Sequence, residues 1–192
     1  SETLSHKEVK LTNPKYFEII SGGLGMKKDV YAVLDTQNQE DIPVFTATFK
    51  PVAYFKKDSI KREPYTASVE NPNISFASDG DGTAGTNIIY HDKPYYLNTS
   101  RLSFKVIDEN IYPEYIFFAI QDIKKKYGFD YKHKATLVNI DKIEIKIPID
   151  DNGNFDLDKQ IEIANKSKMI KELKEELKQQ FEKITTAKIN VE

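Results

Sequence analysis

The sequence predicts an α+β protein in which a mixed, mostly β domain is followed by a long C-terminal coiled-coil helix. Short runs rich in β-branched and aromatic residues, bounded by Gly, Pro, Asn or Asp, fill much of residues 16–107. In residues 143–149 isoleucine alternates with Glu, Lys or Pro, which is the pattern of a half-buried strand ending at a proline. From Asp156 onward, apolar residues recur at helical spacing between Lys, Glu and Gln.

The individual elements follow from these patterns. Residues 1–13 are polar, and we expect them to lie across the surface or to fray. Pro113 followed by Glu114 predicts a helix that continues to Ile123 with its apolar residues buried. The chain turns at residues 150–153, and Asp156 or Asp158 is expected to cap the last helix. The predicted strands before Pro113 are 16–21, 30–34, 42–48, 52–55, 74–77, 86–90, 95–97 and 102–107.

The C-terminal helix carries one narrow apolar stripe. If it is helical to about residue 189, it is roughly 50 Å long, more than a domain of this size covers with its own core. The stripe therefore predicts pairing with another helix, and the alternative is a helix folded back on its own domain. The residues expected to mediate dimerisation are Ile163, Ile170, Leu173, Leu177, Phe181 and Ile184.

Length and composition limit the class of protein. A chain of 192 residues is long enough for one domain with a sizeable core plus an appendage, and we divide it into a globular domain at 1–152 and a helix at 153–192. The absence of cysteine excludes a disulfide scaffold, and no apolar run is long enough for a membrane span. A cytoplasmic protein is expected. The formal charge of −2 means that attraction to a polyanion must come from local clusters.

No catalytic, metal or cofactor site is predicted. The glycine-rich segments 21–25 and 79–85 lack the Gly-Lys-Ser/Thr of a P-loop, and the second departs from a calcium-binding loop. The three histidines, at 6, 91 and 133, show no metal-ligand spacing and are expected at the surface. Residues 71–74 do not match the Asn/Asp-Pro-Pro-aromatic tetrad of an adenine or cytosine methyltransferase. Any methyl transfer must therefore be performed by another polypeptide.

Two basic clusters interleaved with aromatic residues point to nucleic acid. The first basic cluster lies within residues 50–65 and the second within residues 124–134. Lysine and arginine can neutralise phosphates, while the tyrosines and His133 are candidates for reading bases. The alternative is a solvated surface that supports solubility. The candidate DNA-binding residues are Lys56, Lys57, Lys61, Arg62, Tyr54, Tyr65, Lys124, Lys125, Lys126, Tyr127, Tyr131, Lys132, His133 and Lys134.

The order of several short motifs resembles the specificity (S) subunit of type I restriction-modification systems. Each motif is loose by itself, but their order and spacing, ending in Lys-Ile-Pro before a Gln-x-x-Ile-Ala helix, make the resemblance fairly specific. It covers one target-recognition domain and one spacer helix. The motifs are Phe17 to Gly23, Ile74 to Gly80, Ala84-Gly85, Tyr95 to Asn98, Tyr131 to Leu137, Ile143 to Pro148, Asp150 to Gly153 and Gln160 to Ala164.

The resemblance implies a non-catalytic subunit that reads double-stranded DNA in the major groove. Methyltransferase subunits would dock on the helix, and a restriction (nuclease) subunit would join through the complex. Complete S subunits carry two recognition domains, whereas this chain has one. It could be a half-length subunit that forms a homodimer on an interrupted palindrome, an excised half, or the recognition part of a fused restriction-methylation enzyme. We favour the homodimer; a coiled-coil assembly protein without DNA affinity is the alternative from another class.

Overall fold

The computed structural model describes residues 4–21, 23–24, 41–56 and 59–189, and it confirms the predicted α+β class. The predicted strand 30–34 lies outside the described residues. The helices are α1 (Pro113–Ala119), α2 (Ile123–Tyr127) and α3 (Leu157–Ile189), with a 3₁₀ turn at Asn139–Lys142. The strands are β1 (His6–Lys10), β2 (Phe17–Ile20), β3 (Ile42–Phe45), β4 (Ala53–Phe55), β5 (Asn73–Ala77), β6 (Ile89–His91), β7 (Tyr96–Leu97), β8 (Arg101–Val106) and β9 (Glu144–Pro148).

Three sheets organise the described globular part. The largest is antiparallel in the order β2-β8-β5-β6, with Phe104 of β8 opposite both Ile19 of β2 and Ile74 of β5. The second has the order β4-β3-β7, in which β3 pairs antiparallel with β4 and parallel with β7. The third contains β1 and β9. The main core lies between the largest sheet, the β1–β9 pair and helices α1 and α2, because apolar residues from all of them form one buried cluster.

The described N-terminal segment includes a strand, so it does not fray there, although four of the five strand residues lie at the surface as predicted. β1 pairs antiparallel with β9, which places Val9 opposite Ile145. Both side chains are buried, and Leu11 after the strand is buried too. The sequence pattern does not predict β1, because only one of its five residues is buried and the others are exposed. β9 itself has the predicted alternation of exposed and buried residues.

The helix predicted from Pro113 to Ile123 is interrupted. α1 ends at Ala119, and α2 begins at Ile123. Gln121 provides a physical reason, since its side-chain amide donates to the carbonyl of Phe117, the group that its own backbone N–H would bond in a continuous helix. That N–H bonds Phe118 instead. The interruption therefore exchanges one helical hydrogen bond for a side-chain bond.

The segment predicted as strand 86–90 is also partly a turn. Asn87 has a φ of +52°, in the left-handed region that a strand does not use. Thr86 bonds back to Thr83, both through its backbone N–H and through its hydroxyl. The strand therefore begins only at Ile89.

The first turns of α3 anchor the long helix on the globular part. Asp156 is the cap, because its carboxylate accepts the N–H of Lys159 at 2.9 Å. Gln160 is fully buried, and its amide bonds both the N–H of Tyr112 and the carbonyl of Asn110, just before α1. Ala164 is buried as well, and beyond residue 167 every described residue is exposed. The helix is thus buried against its own domain only at its start, and Lys171 further along still lies over the ring of Phe117 at 5.5 Å.

Candidate nucleic-acid interface

The second basic cluster combines α2 with a tight turn. Gly128 caps the C-terminus of α2, and its φ of +69° is in the left-handed region. Phe129 then enters the core and anchors the segment. Asp130 closes the following turn, because its carboxylate accepts the backbone N–H groups of Lys132 and His133. These hydrogen bonds, first the one from His133, lower the pKa of the Asp130 carboxyl. The turn thus holds the basic residues around it in one conformation.

Two lysines of this cluster bond the glycine-rich turn at residues 79–85. The Nζ of Lys134 lies 2.8 Å from Oδ2 of Asp79, and Lys124 donates to the carbonyl of Gly82. The hydrogen bond from Lys134 lowers the pKa of the Asp79 carboxyl, and the same bond raises the pKa of Lys134. The side chains of Lys134 and Asp79 remain 40% and 42% exposed. Because an ammonium group has three donors, this ion pair leaves capacity for a phosphate.

The remaining members of the second cluster divide into exposed and anchored residues. Lys125, Lys126, Tyr131 and Lys132 are exposed. Tyr127 is half-buried, and its hydroxyl accepts the N–H of Glu144 at the start of β9. His133 is half-buried and stacks on the ring of Phe129. The exposed residues form the accessible part of the cluster.

The first basic cluster follows β4. Tyr54 is half-buried on that strand, and Lys56 just after it is exposed, as is Lys61 further along the chain. Lys57, also predicted to contact DNA, lies outside the described residues. The cluster therefore has at least two accessible ammonium groups near the β4-β3-β7 sheet.

Arg62 and Tyr65 tie the first cluster to the segment after β2. The guanidinium of Arg62 donates to the carbonyl of Gly23 at 3.0 Å and to the hydroxyl of Tyr65 at 3.2 Å. That hydroxyl donates to the carbonyl of Ser21, and the Tyr65 ring packs against Tyr95. Both predicted DNA-binding side chains therefore also hold the local fold.

One loop, residues 98–100, connects the two basic clusters. A Cβ at position 23 would lie 2.2 Å from backbone atoms of both Asn98 and Thr99, so only glycine fits against this loop. On the same loop, the carbonyl of Ser100 accepts the N–H of Asp79 at 3.3 Å. The first cluster thus reaches the loop through Gly23, and the second reaches it through Asp79. The loop at residues 98–100 therefore contacts one residue bonded by each cluster, Gly23 for the first and Asp79 for the second.

Comparison with known proteins identifies the family. The model of the type I restriction modification DNA specificity domain matches residues 16–180. The chain belongs to this family. No curated protein matches the chain.

Solved S subunits have the fold of this specificity domain. This chain is 21% identical to the type I restriction-modification S subunit from M. genitalium, with a TM-score of 0.61, and the match covers 96% of this chain and 43% of that chain. It is 10% identical to the HsdS subunit from Thermoanaerobacter tengcongensis, with a TM-score of 0.57 over 88% of this chain and 38% of that one. The specificity domain therefore spans less than half the length of either S subunit.

A buried arginine of the specificity domain is a residue that sequence reasoning missed. Arg101 at the start of β8 is 1% exposed, and its guanidinium donates to the carbonyls of Thr46, Thr48 and Asn87 and to the hydroxyl of Ser75. Burial lowers its pKa to about 10, so it stays charged at neutral pH. The bonds to residues 46 and 48 occupy carbonyls that a strand would pair, and β3 ends at residue 45 although the predicted strand runs to 48.

His91 is also buried, so the prediction that it lies at the surface is wrong. Its Nε2 lies 2.6 Å from the hydroxyl oxygen of Ser75, and its ring stacks on Tyr95 with centroids 3.8 Å apart. Burial, with a contribution from Arg101, lowers the pKa of His91 to about 3. The imidazole is therefore neutral at physiological pH. Its partner Ser75 is 16 residues away in sequence, and local sequence patterns do not show such a contact.

The described residues contain no group of three or more His, Cys, Asp or Glu side chains placed to hold a metal ion. The glycine-rich segment 79–85 is the predicted structural turn, with positive φ at Gly80, Gly82 and Gly85. Within the same described ranges, no helix is long and apolar enough to span a membrane. Of the predicted DNA-binding residues, Lys56, Lys61, Arg62, Lys125, Lys126, Tyr131 and Lys132 are exposed.

Proposed function

We propose that this chain reads a short DNA sequence as the target-recognition part of a type I restriction-modification specificity subunit. One observation supports the proposal: in a chain of this family, the loop at residues 98–100 contacts both Gly23, which Arg62 bonds, and Asp79, which Lys134 bonds. A positive surface of this kind neutralises phosphates and releases counterions, while neighbouring polar and aromatic groups approach the bases.

The contact residues are proposed to act in two groups. The exposed lysines contact mainly phosphate, namely Lys56, Lys61, Lys125, Lys126 and Lys132, together with Lys57, which lies outside the described residues. Lys124, Lys134 and Arg62 also contact phosphate while holding the loops that they bond. Base reading falls to Tyr131 and to the half-buried Tyr54, Tyr65, Tyr127 and His133.

The long helix is proposed to join two copies of the chain. Ile170, Leu173, Leu177, Phe181 and Ile184 are more than half exposed, and Ile163 continues the same stripe at the anchored end. A symmetric pair of helices would place two recognition domains on one duplex and make the target an interrupted palindrome. The division into a recognition domain at 1–152 and a spacer helix at 153–192 stays a prediction.

The proposed partners follow from this arrangement. Methyltransferase subunits dock on the spacer helices, a restriction subunit joins through that complex, and the chain itself performs no chemistry and needs no cofactor. A cytoplasmic location stays a prediction. The same surface would suit the recognition part of a fused restriction-methylation enzyme. An assembly protein with a coiled-coil stalk would use the exposed stripe but would give the basic clusters no role.

DNA binding at several salt concentrations tests the proposal. The chain is titrated into mixed-sequence duplex and into duplexes selected from a random pool, and the affinity is plotted against salt. A DNA reader loses affinity steeply as salt rises and keeps a preference for the selected duplex. A stalk protein shows neither behaviour, and that result would reject the proposed function.

A further inference from the structure

The loop after β3 is held by hydrogen bonds from buried and partly buried side chains. We call residues 46–50 the clamped loop. Three successive carbonyls are bonded: Arg101 donates to Thr46 at 2.6 Å and to Thr48 at 2.8 Å, and the side chain of Asn87 donates to Ala47 at 2.6 Å. Because Arg101 is buried, its charge is compensated only if these acceptors stay in place. Hydrogen bonds from Arg101 and Asn87 therefore hold the backbone of the clamped loop in place.

Phe49 directly follows the three residues whose carbonyls are bonded. The hydroxyl of Thr48 donates to the carbonyl of Lys50 at 3.1 Å, which closes the backbone around Phe49. The Phe49 side chain is nevertheless 61% exposed. An aromatic ring exposed to water lacks the favourable free energy of burial, which contact with a partner would supply. Because the loop is already ordered, it loses little conformational entropy on binding.

The clamped loop adjoins the proposed DNA interface. A Cβ at Gly80 would lie 3.1 Å from the Cβ of Ala47, so the loop packs on the glycine-rich turn that Lys124 and Lys134 also bond. The carbonyl of Phe45, just before the loop, accepts the N–H of Asn98 at 2.9 Å. The clamped loop thus contacts the glycine-rich turn, and the residue just before it bonds the loop at residues 98–100.

We propose that the clamped loop enters the DNA interface and that Phe49 is a specificity-determining residue that recognises thymine. This inference rests on the proposed function. A phenyl ring has no hydrogen-bond donor or acceptor, so it reads only apolar features of a base edge. In the major groove that feature is the 5-methyl group of thymine. Arg101 and Asn87 act as positioning residues, because they hold the loop without facing the DNA.

The test combines a protein change with a DNA change. Duplexes bound by the 192-residue chain are first selected from a random pool, and each thymine of the selected site is then replaced by deoxyuridine, which lacks only the methyl group. At one thymine of each half-site, the unaltered chain should bind about fivefold more weakly after this replacement. Phe49→Ala should bind the thymine duplex about fivefold more weakly and should show no further loss on the deoxyuridine duplex.

Two further variants separate reading from folding. Val69→Ala changes another apolar side chain, 74% exposed, and should keep the thymine preference. Asn87→Gly keeps a residue that accepts the φ of +52° while removing the bond to Ala47. It should reduce the thymine preference with little change in affinity for mixed-sequence duplex. Circular dichroism and thermal melting establish that each variant is folded.

The outcomes distinguish this inference from the function on which it rests. If the unaltered chain selects no duplex, both fail. If it selects a site but Phe49→Ala keeps the same dependence on the methyl group, the thymine contact is wrong while the proposed function stands. Equal weakening of Phe49→Ala on every duplex would also overturn it. The inference would also be overturned if Phe49→Ala kept its DNA preference but no longer bound a co-expressed methyltransferase, because Phe49 would then contact protein.

Discussion

The globular part and the distal half of α3 place their apolar residues in opposite environments. In the globular part, Phe104 and Ile116 are fully buried. On the helix, Leu177 is 56% exposed and Phe181 is 69% exposed. Burying an apolar side chain contributes roughly 2 kcal/mol, so the globular part already has this stabilisation and the distal helix lacks it.

The difference indicates where each region obtains its stability. The globular part has its own core and a buried polar network around Arg101 and His91. The described helix has ion pairs of Glu162 with Lys159 and Lys166, and such exposed pairs contribute at most about 0.5 kcal/mol each. The globular part should therefore fold alone, whereas the distal helix should depend on a partner.

The largest expected effect tests the helix side of this comparison. Leu173→Lys combined with Leu177→Lys replaces two apolar contacts by charges, and we expect dimer dissociation to become roughly a thousandfold more favourable. Sedimentation should then show monomers with a folded globular part. Gln179→Lys with Thr186→Lys places the same charges on the opposite helix face and should leave the dimer intact. A dimer that survives in the leucine variant would show that this stripe is not the contact.

The next effect concerns the globular part and depends on pH. Because the pKa of His91 is lowered to about 3, the unfolded chain binds one more proton than the folded chain between about pH 6.5 and pH 3. Stability should fall as pH falls through this window, by about 4 kcal/mol in total. His91→Gln should lack this component, as measured by urea unfolding at several pH values. Identical pH dependence in both proteins would show that His91 is accessible to solvent.

A smaller effect tests the glycine-rich turn. Gly85 has a φ of +78°, and a Cβ there would lie 2.7 Å from the ring of Phe129. Gly85→Ala should lower the free energy of unfolding by about 3 kcal/mol through strain and overlap. Gly82 has a similar φ of +70° but open space around it, so Gly82→Ala should cost only about 1 kcal/mol. Equal losses would mean that the turn can move away from Phe129. Neither variant should alter dimerisation.

The smallest effect separates the two regions by their role in DNA binding. Lys125→Gln with Lys126→Gln removes two exposed charges of the second basic cluster. Affinity should fall about tenfold, and the slope of log affinity against log salt should become about two units shallower. Lys174→Gln with Lys178→Gln removes two exposed charges from the distal helix. This control should change the slope little, and an equal change would mean that DNA lies along the helix.

The sequence was sufficient where local periodicity decides the structure. The alternation in β9, the cap at Asp156 and the long helix follow from spacings of two to four residues, and the structure confirms them. The turn at residues 79–85 was also predictable, because several glycines lie close together there. In these segments short-range chemistry and the final fold agree.

The sequence was insufficient where a contact joins distant segments. β1 has a single buried residue, and its pairing with β9 cannot be seen in its own pattern. Arg101 and His91 carry no local sign of burial, because Thr46 and Ser75, which they bond, lie in other strands or loops. Phe49 was overlooked because its importance depends on how Arg101 positions the loop. Hydrogen bonds between segments distant in sequence determine the pairing of β1 and the burial of Arg101 and His91.

Methylation mapping tests the central claim most directly. The chain is co-expressed with a methyltransferase subunit encoded beside it, and methylated sites are mapped across the host DNA. A symmetric dimer of DNA readers predicts one interrupted palindrome, methylated in both halves, that disappears when Leu173 and Leu177 are replaced by lysine. Methylation of a site without two-fold symmetry, or no methylation that depends on this chain, would contradict the account.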